Sequence, residues 1–305
     1  MSKIAFVFPG QGAQYTGMAK DFYEKYAVSR EVFESASKAS GLDVKALCFE
    51  ENDRLNITEY TQIAMLTVEV ALLKVLEEMG YRPDAAAGLS LGEYAALAAA
   101  DVMDVKDLFY CVRKRGIFMQ EAVPTGGAMT AILGLDSETI AQACGEIDGM
   151  VSVANYNCPG QTVVSGEEGQ IAALSERVAA LKGRAMRLNV SGAFHSPYMH
   201  EAALGLADYM RDLRFAAPIV PVYANCTAEP YSAQDAASLL ARQVENPVRW
   251  EQTVRAMIAQ GVDTFVECGA GKTLSGLISK IDKDVAVCRV EDAATLSQTL
   301  SALGR

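Results

Sequence analysis

Residues 85–94 read Ala85-Ala86-Ala87-Gly88-Leu89-Ser90-Leu91-Gly92-Glu93-Tyr94, a G-x-S-x-G pentapeptide set between a short apolar run and a helical pattern. A serine in that setting occupies a strained strand-to-helix turn with its Oγ pushed outward. Glycines flank it because side chains there would strike the neighbouring strand and helix. The helix expected from Leu91 to Ala100 aims its positive N-terminal end at Ser90, where an alkoxide or oxyanion would develop. Two facts weigh on the other side. Glycine makes up 24 of the 305 residues, so the pentapeptide can arise by chance. Alanine is a poor strand former, which leaves 85–87 weakly marked as a strand.

Working outward, Ile4-Ala5-Phe6-Val7-Phe8 reads as a buried strand, stopped by Pro9 and the loop Gly10-Gln11-Gly12-Ala13-Gln14. Over 60–79, Ile63, Leu66, Val70, Leu73 and Leu76 recur at helical spacing, and Gly80 ends the run. A helix is expected over 107–123, closed by Pro124-Thr125-Gly126-Gly127. The pattern then becomes compact: strand 128–133, helix 137–144, strand 151–156, a turn at Cys158-Pro159-Gly160 and strand 162–164. Ser165 with Glu168 forms a capping box for a second helix, whose face carries Ile171, Leu174, Val178 and Leu181, and strand 185–190 follows. This β-α-β-β-α-β order is the ferredoxin-like arrangement. Beyond it, Ser196-Pro197 opens a helix, and 219–223, 264–267 and 285–290 are strands separated by helices. The expectation is an α/β chain in two parts: a large α/β subdomain from 1–125 and 191–305, and a small ferredoxin-like subdomain inserted at 126–190.

At 305 residues, half of them hydrophobic, the chain can bury a large core. No apolar run approaches the length of a membrane span, and the N-terminus lacks a basic-then-apolar signal pattern. A net charge of −11 argues against non-specific binding to nucleic acid. The seven cysteines (48, 111, 144, 158, 226, 268 and 288) are scattered, with no C-x-x-C pair. That distribution points to reduced thiols in a cytoplasmic protein, not to a disulfide frame or a zinc site. Only His195 and His200 are present, so no histidine-built metal site is expected.

Two glycine-rich turns invite a nucleotide reading, and both fail it. Gly10-Gln11-Gly12 has Tyr15 where the third glycine of a dinucleotide loop should stand. Gly271-Lys272-Thr273 resembles the end of a phosphate loop, but its first glycine would fall on Val266, inside a strand. A serine nucleophile needs a base, and His195 is the stronger candidate. It follows a strand and precedes a helix N-terminus, which favours the neutral imidazole that a general base requires. The plain alternative is a satisfied loop histidine. His200, five residues on, reads as structural or superficial. No Asp or Glu stands out as a third member; a backbone carbonyl could fix the tautomer instead. Arg115, on an amphipathic helix and followed by Gly116, could turn inward and hold a carboxylate through two parallel hydrogen bonds. Alone, the plainer reading wins: one more solvated cation beside Arg113 and Lys114.

Taken together these residues resemble the malonyl-CoA:acyl carrier protein transacylase family and the related acyltransferase domains of polyketide synthases. The matching segments run in order from Phe6 to Gln14, through Thr61-Gln62, Gly88 to Tyr94, Arg115-Gly116 to Pro124 and Asn155-Tyr156-Asn157. Gly192-Ala193-Phe194-His195, Asn246 to Trp250 and Glu267 to Lys272 complete the set. The resemblance implies an α/β-hydrolase-like large subdomain with a ferredoxin-like small one, and a Ser90–His195 dyad in which Ser90 attacks a malonyl thioester. It implies an oxyanion hole from the N–H groups of Gln11 and Leu91, Arg115 on the malonyl carboxylate, and the Gln243 carbonyl orienting His195. Gln62 and Asn157 would line the site, and Phe194 would leave little room for an α-methyl branch. Malonyl-CoA and acyl carrier protein would be substrates, with no cofactor and no metal. One departure is Leu89, where many members have histidine; a change of local packing is expected, not a loss of chemistry. Lys182, Arg184 and Arg187 offer a basic patch for an acidic carrier. A serine hydrolase would use the same elbow without needing Arg115. A vestigial carrier-binding partner would need none of Ser90, His195 and Arg115.

Overall fold

The computed structural model describes residues 2–122, 126–190 and 192–304. Its strands in chain order are β1 (Lys3–Phe8), β2 (Ala85–Gly88), β3 (Gly127–Leu133), β4 (Val151–Cys158), β5 (Gln161–Glu167), β6 (Arg184–Arg187), β7 (Val222–Tyr223), β8 (Val262–Cys268) and β9 (Ala286–Val290). Five of them form a parallel sheet in the order β7-β2-β1-β8-β9, and four form an antiparallel sheet in the order β4-β5-β3-β6. The fold is therefore mixed α/β with two separate sheets. Val123, Pro124, Thr125 and Ser191, where the sequence places a helix end, part of a turn and the start of the His195 motif, lie outside the described residues.

Strand β1 shows no alternation of polar and apolar residues because both of its faces are covered. Phe6 and Phe8 enter one core, beside the helices Thr58–Glu78 and Gly92–Ala99. Ala5 and Val7 enter the other, with Trp250 and Phe265. Strand β2 forms although it is built of alanine, since β1 pairs with it from Ala5↔Ala85 to Phe8↔Gly88 and β7 pairs on its far side. Tertiary pairing overrides propensity here. Small residues are needed at this point because the next helix packs very close. A Cβ added at Gly88 would lie 1.9 Å from the Gly92 carbonyl carbon, and one at Gly92 would lie 2.1 Å from the Phe8 oxygen.

The helix Thr58–Glu78 is buried nearly all round and carries a carboxyl into the core. Glu69 is fully buried, and among the described residues neither of its oxygens has a hydrogen-bond partner. Burial pushes its pKa well above the ordinary 4.5. The folded state therefore binds a proton that the unfolded chain releases above about pH 4.5, so this group costs stability increasingly as pH rises beyond that value. Replacing Glu69 with leucine is expected to stabilise the protein by about 1–3 kcal/mol at pH 8. Thermal melts at pH 5 and pH 8 check this: the gain should be larger at pH 8, and a variant that melts lower at both values would contradict it.

Several expected boundaries move. Ser165 does not cap a helix: it lies buried in β5, paired with Met129 and Ser152, and the helix Glu168–Ala180 starts from Glu167 without a side-chain cap. The strand expected at 219–223 shrinks to β7, because Pro221 has no N–H to extend the ladder and Ile219 is left exposed. The strand expected at 185–190 is β6; just beyond it Leu188 N–H still donates to the Met129 carbonyl at 2.9 Å, and Leu188 and Val190 line a cavity. Ser196-Pro197 opens a single 3-10 turn, Pro197–Met199, and His200 begins the α-helix that follows. The antiparallel sheet is tied to the rest through β4: Tyr156 N–H donates to the Val248 carbonyl at 2.9 Å, and Val248 N–H to that of Ala154 at 2.8 Å.

Candidate active site

Ser90 stands at the end of β2 with φ 55°, a left-handed conformation that is costly for a non-glycine residue and that turns its Oγ out of the elbow. The turn is held by Asn225, whose Oδ1 accepts the Ser90 N–H at 2.6 Å and whose Nδ2 donates to the Gly88 carbonyl at 2.6 Å. His195 also has a positive φ, 56°, and its N–H is tied to the Val244 carbonyl at 2.9 Å. Its Nε2 lies 2.7 Å from Ser90 Oγ. Its Nδ1 faces two carbonyl oxygens, Gln243 at 2.9 Å and Asn246 at 3.2 Å. Carbonyls only accept, so Nδ1 carries the hydrogen and the Nε2 lone pair is left for the Ser90 hydroxyl to donate to. Burial, with Arg115 adding to it, lowers the His195 pKa to about 4, so the imidazole is neutral at pH 7. The cause is thus desolvation and a nearby cation, where the sequence suggested a helix end.

Arg115 turns inward from the helix Val105–Ala122 and is only 1% exposed. Its Nη1 donates to Gln62 Oε1 at 2.8 Å, and its Nη2 donates to Gln243 Oε1 at 2.7 Å and to Ser90 Oγ at 3.1 Å. Its guanidinium also faces Tyr94, whose ring centroid lies 5.5 Å from the guanidinium carbon. Gly116 lets this helix approach Glu59, whose Cα would lie 2.9 Å from an added Cβ. Arg113, by contrast, pairs with Glu59 at 2.8 Å.

Gln11, Gln62, Leu91, Arg115, Asn157 and Phe194 line one cavity of about 240 Å³ together with Ser90 and His195. Among the described residues neither the Gln11 nor the Leu91 N–H has an acceptor, so two backbone donors stand free beside the nucleophile. Gly10 brings the first of them there, since its missing side chain admits the Leu89 carbonyl oxygen, 2.7 Å from where a Cβ would be. The loop that failed as a dinucleotide motif is thus a backbone strut against the elbow. Leu89 itself packs against the core that holds Trp250. Asn157, on β4, has a buried Oδ1 with no partner among the described residues. Gln243 lies behind the cavity, as a hub and not as a wall. His200 is on the surface, bonded to Glu245 at 2.9 Å. Arg187 on edge strand β6 is already paired with Glu168 at 2.6 Å.

The sequence reading missed Asn225, Glu93, Tyr231 and the Gln243 side chain. Glu93 Oε2 accepts from Gln243 Nε2 at 2.5 Å and its Oε1 is bonded to the Tyr231 hydroxyl. An acidic residue in a first helical turn reads as ordinary dipole pairing, so only the adjacency of Glu93 to the pentapeptide could have flagged it.

The chain matches the acyl transferase domain family over residues 5–294. It is 42% identical to the malonyl CoA-acyl carrier protein transacylase of Bacillus subtilis, over 99% of this chain and 98% of that one. Its fold superposes on the malonyl CoA-acyl carrier protein transacylase of Clostridium perfringens with a TM-score of 0.96 at 41% identity, covering 99% and 97% of the two chains. A malonyl-transacylase solved in complex with a type II PKS acyl-carrier protein gives a TM-score of 0.96 at 39% identity, covering 99% and 100%.

Proposed function

Because the chain belongs to the acyl transferase domain family, among its malonyl-CoA–acyl carrier protein transacylases, we propose that Ser90, His195 and Arg115 carry the reaction. The enzyme moves the malonyl group from malonyl-CoA to acyl carrier protein, for fatty acid or polyketide synthesis. The observation that supports these residue roles is a single oxygen. Ser90 Oγ lies 2.7 Å from the base and 3.1 Å from a buried guanidinium, in one cavity.

The steps follow from those positions. His195 Nε2 takes the Ser90 proton as Oγ attacks the thioester carbon, and the oxyanion forms between the Gln11 and Leu91 N–H groups. Collapse breaks the carbon–sulfur bond, CoA leaves with the proton from His195, and malonyl-Ser90 remains. The phosphopantetheine thiol of the carrier then gives its proton to His195 and attacks the ester carbon. The second collapse returns the proton to Ser90. One cleft thereby serves two bulky thiols in turn, a ping-pong sequence that needs no cofactor. Arg115 turns its Nη atoms from Ser90 Oγ to the malonyl carboxylate, Gln62 and Gln243 steady it, and Asn157 lines the acyl site. The Phe194 ring crowds an α-substituent. The sheet order β4-β5-β3-β6 with two helices supports a ferredoxin-like subdomain at 126–190 within an α/β-hydrolase-like body from 1–125 and 191–305. Lys182, Arg184 and Arg187 are candidates for meeting the acidic carrier. Free thiols on all seven cysteines support a reducing, cytoplasmic setting; among the described residues no helix is long and apolar enough to cross a membrane.

The test is intact mass after brief incubation with malonyl-CoA. A malonyl adduct should appear on the enzyme and discharge onto holo carrier protein far faster than onto water. An adduct lost to water at the same rate with or without carrier would instead make the protein a hydrolase.

A further inference from the structure

One buried carboxylate stands directly behind the site, and no step of the transfer uses it. Glu93, in the first turn of the helix Gly92–Ala99, is fully buried. Besides the Gln243 and Tyr231 bonds, its Oε2 accepts the Asn225 N–H at 3.2 Å. Arg115 fixes the direction of these bonds. A guanidinium only donates, so the Gln243 atom 2.7 Å from Arg115 Nη2 is its oxygen, and the amide nitrogen faces Glu93. The same nitrogen donates to the Ser90 carbonyl at 2.8 Å, and the Gln243 main-chain oxygen orients His195. Cation, amide and carboxylate stand in line, so the amide dipole couples the two charges. Among the described residues no carboxylate pairs directly with Arg115; of the groups whose charge acts on it, Tyr94, Glu93 and Cys111, Glu93 is the carboxylate.

We propose that Glu93 is a positioning residue whose charge, acting through the Gln243 side chain, sets how strongly Arg115 takes a carboxylated acyl group. Its hydrogen bonds meanwhile hold Gln243 and Asn225 against the Ser90–His195 pair. The inference rests on the pairing of Arg115 with the malonyl carboxylate proposed above. Glu93 and an incoming carboxylate compete for one cation, so an ionised Glu93 weakens malonyl binding and a protonated Glu93 does not. The titratable groups facing it are Arg115 from the helix Val105–Ala122, Tyr94 from its own helix, and Cys226 and Tyr231 from the segment after β7. Burial pushes its pKa up to about 7, while bonds from Tyr231, Gln243 and Asn225 pull the other way.

Glu93→Gln separates charge from shape. The new amide oxygen accepts from Gln243 and Asn225, and its nitrogen donates to the Tyr231 oxygen, so the contacts are kept and only the Tyr231 bond reverses its direction. The measurement is KM for malonyl-CoA and for acetyl-CoA, from pH 6 to 9, in wild type, Glu93→Gln, Tyr231→Phe and Arg115→Ala. The wild-type malonyl-CoA KM should climb through pH 7; in Glu93→Gln the climb should vanish and KM at pH 8 should fall about three- to tenfold. In Tyr231→Phe, which loses a donor to the carboxylate, the climb should move to higher pH. Acetyl-CoA, with no carboxylate, should show none of this. A Glu93→Gln profile that follows wild type, or an equal change for acetyl-CoA, overturns the inference. If Arg115→Ala leaves the malonyl-CoA KM unchanged, the role of Arg115 falls and takes this inference with it. A raised KM in Arg115→Ala beside a silent Glu93→Gln overturns the Glu93 role alone.

Discussion

Ser90→Ala is expected to abolish the malonyl adduct and to slow transfer to carrier protein by roughly 10⁴-fold or more. No other group can replace it. His195 lies against Ser90 Oγ and would be left with a lone pair and nothing to deprotonate but water. The Gln11 and Leu91 N–H groups proposed as oxyanion donors stay in place, so malonyl-CoA should still bind, and a weak binding signal with no adduct is the expected pattern. Ser90 N–H bonds Asn225 through the backbone, which alanine keeps, so the melting temperature should scarcely move. A Ser90→Ala protein that still carried malonyl on itself would remove Ser90 as the nucleophile.

Arg115→Ala should lower kcat/KM for malonyl-CoA by roughly 10²- to 10³-fold, since an acyl carboxylate would then be buried without its cation at a cost of about 3–4 kcal/mol. The substitution also opens a void in the core and leaves Gln62 and Gln243 each short of a donor, so some loss of melting temperature is expected. The ratio of malonyl-CoA to acetyl-CoA therefore carries the test, because a general loss of structure lowers both. A second readout follows from charge. Arg115 helps hold the His195 pKa down at about 4, after burial, so its removal should shift the acid limb of the rate profile upward, towards the ordinary 6.5. A variant that lost malonyl and acetyl activity equally, with the acid limb in place, would reduce Arg115 to a packing residue.

The elbow at Ser90 and the candidates His195 and Arg115, which the structure brings together, were legible in the sequence because each is marked by a local rule: glycines where a turn forbids side chains, a lone histidine before a helix, an arginine beside a glycine. The small unit showed through its alternating periods. What stayed hidden depends on contacts across the chain. Asn225 follows a strand of only two residues, and its partners Ser90 and Gly88 are more than a hundred positions away. Glu93 sits where an acidic residue is favoured on any exposed helix, and nothing local says that it is buried. Ser165 failed for the opposite reason: its spacing to Glu168 fits a capping box, but pairing with Met129 extends β5 through the position where the cap would form.

His195 is oriented by two peptide oxygens, and among the described residues no carboxylate bonds its ring, so the imidazolium of the proposed steps gains no ionic support. With a pKa of about 4 it is a feeble acceptor of protons. A thiol, with a pKa near ~8.5, is already a few per cent ionised at neutrality and asks little of such a base. Water, at ~15.7, asks far more; the Ser90 hydroxyl is as weak an acid, but it is fixed 2.7 Å from Nε2, where water must first be captured. With His195 as the base proposed above, its weakness becomes a kinetic filter: a malonyl ester on Ser90 would wait for a carrier, protected less by the walls of its cleft than by the poor odds offered to its commonest competitor.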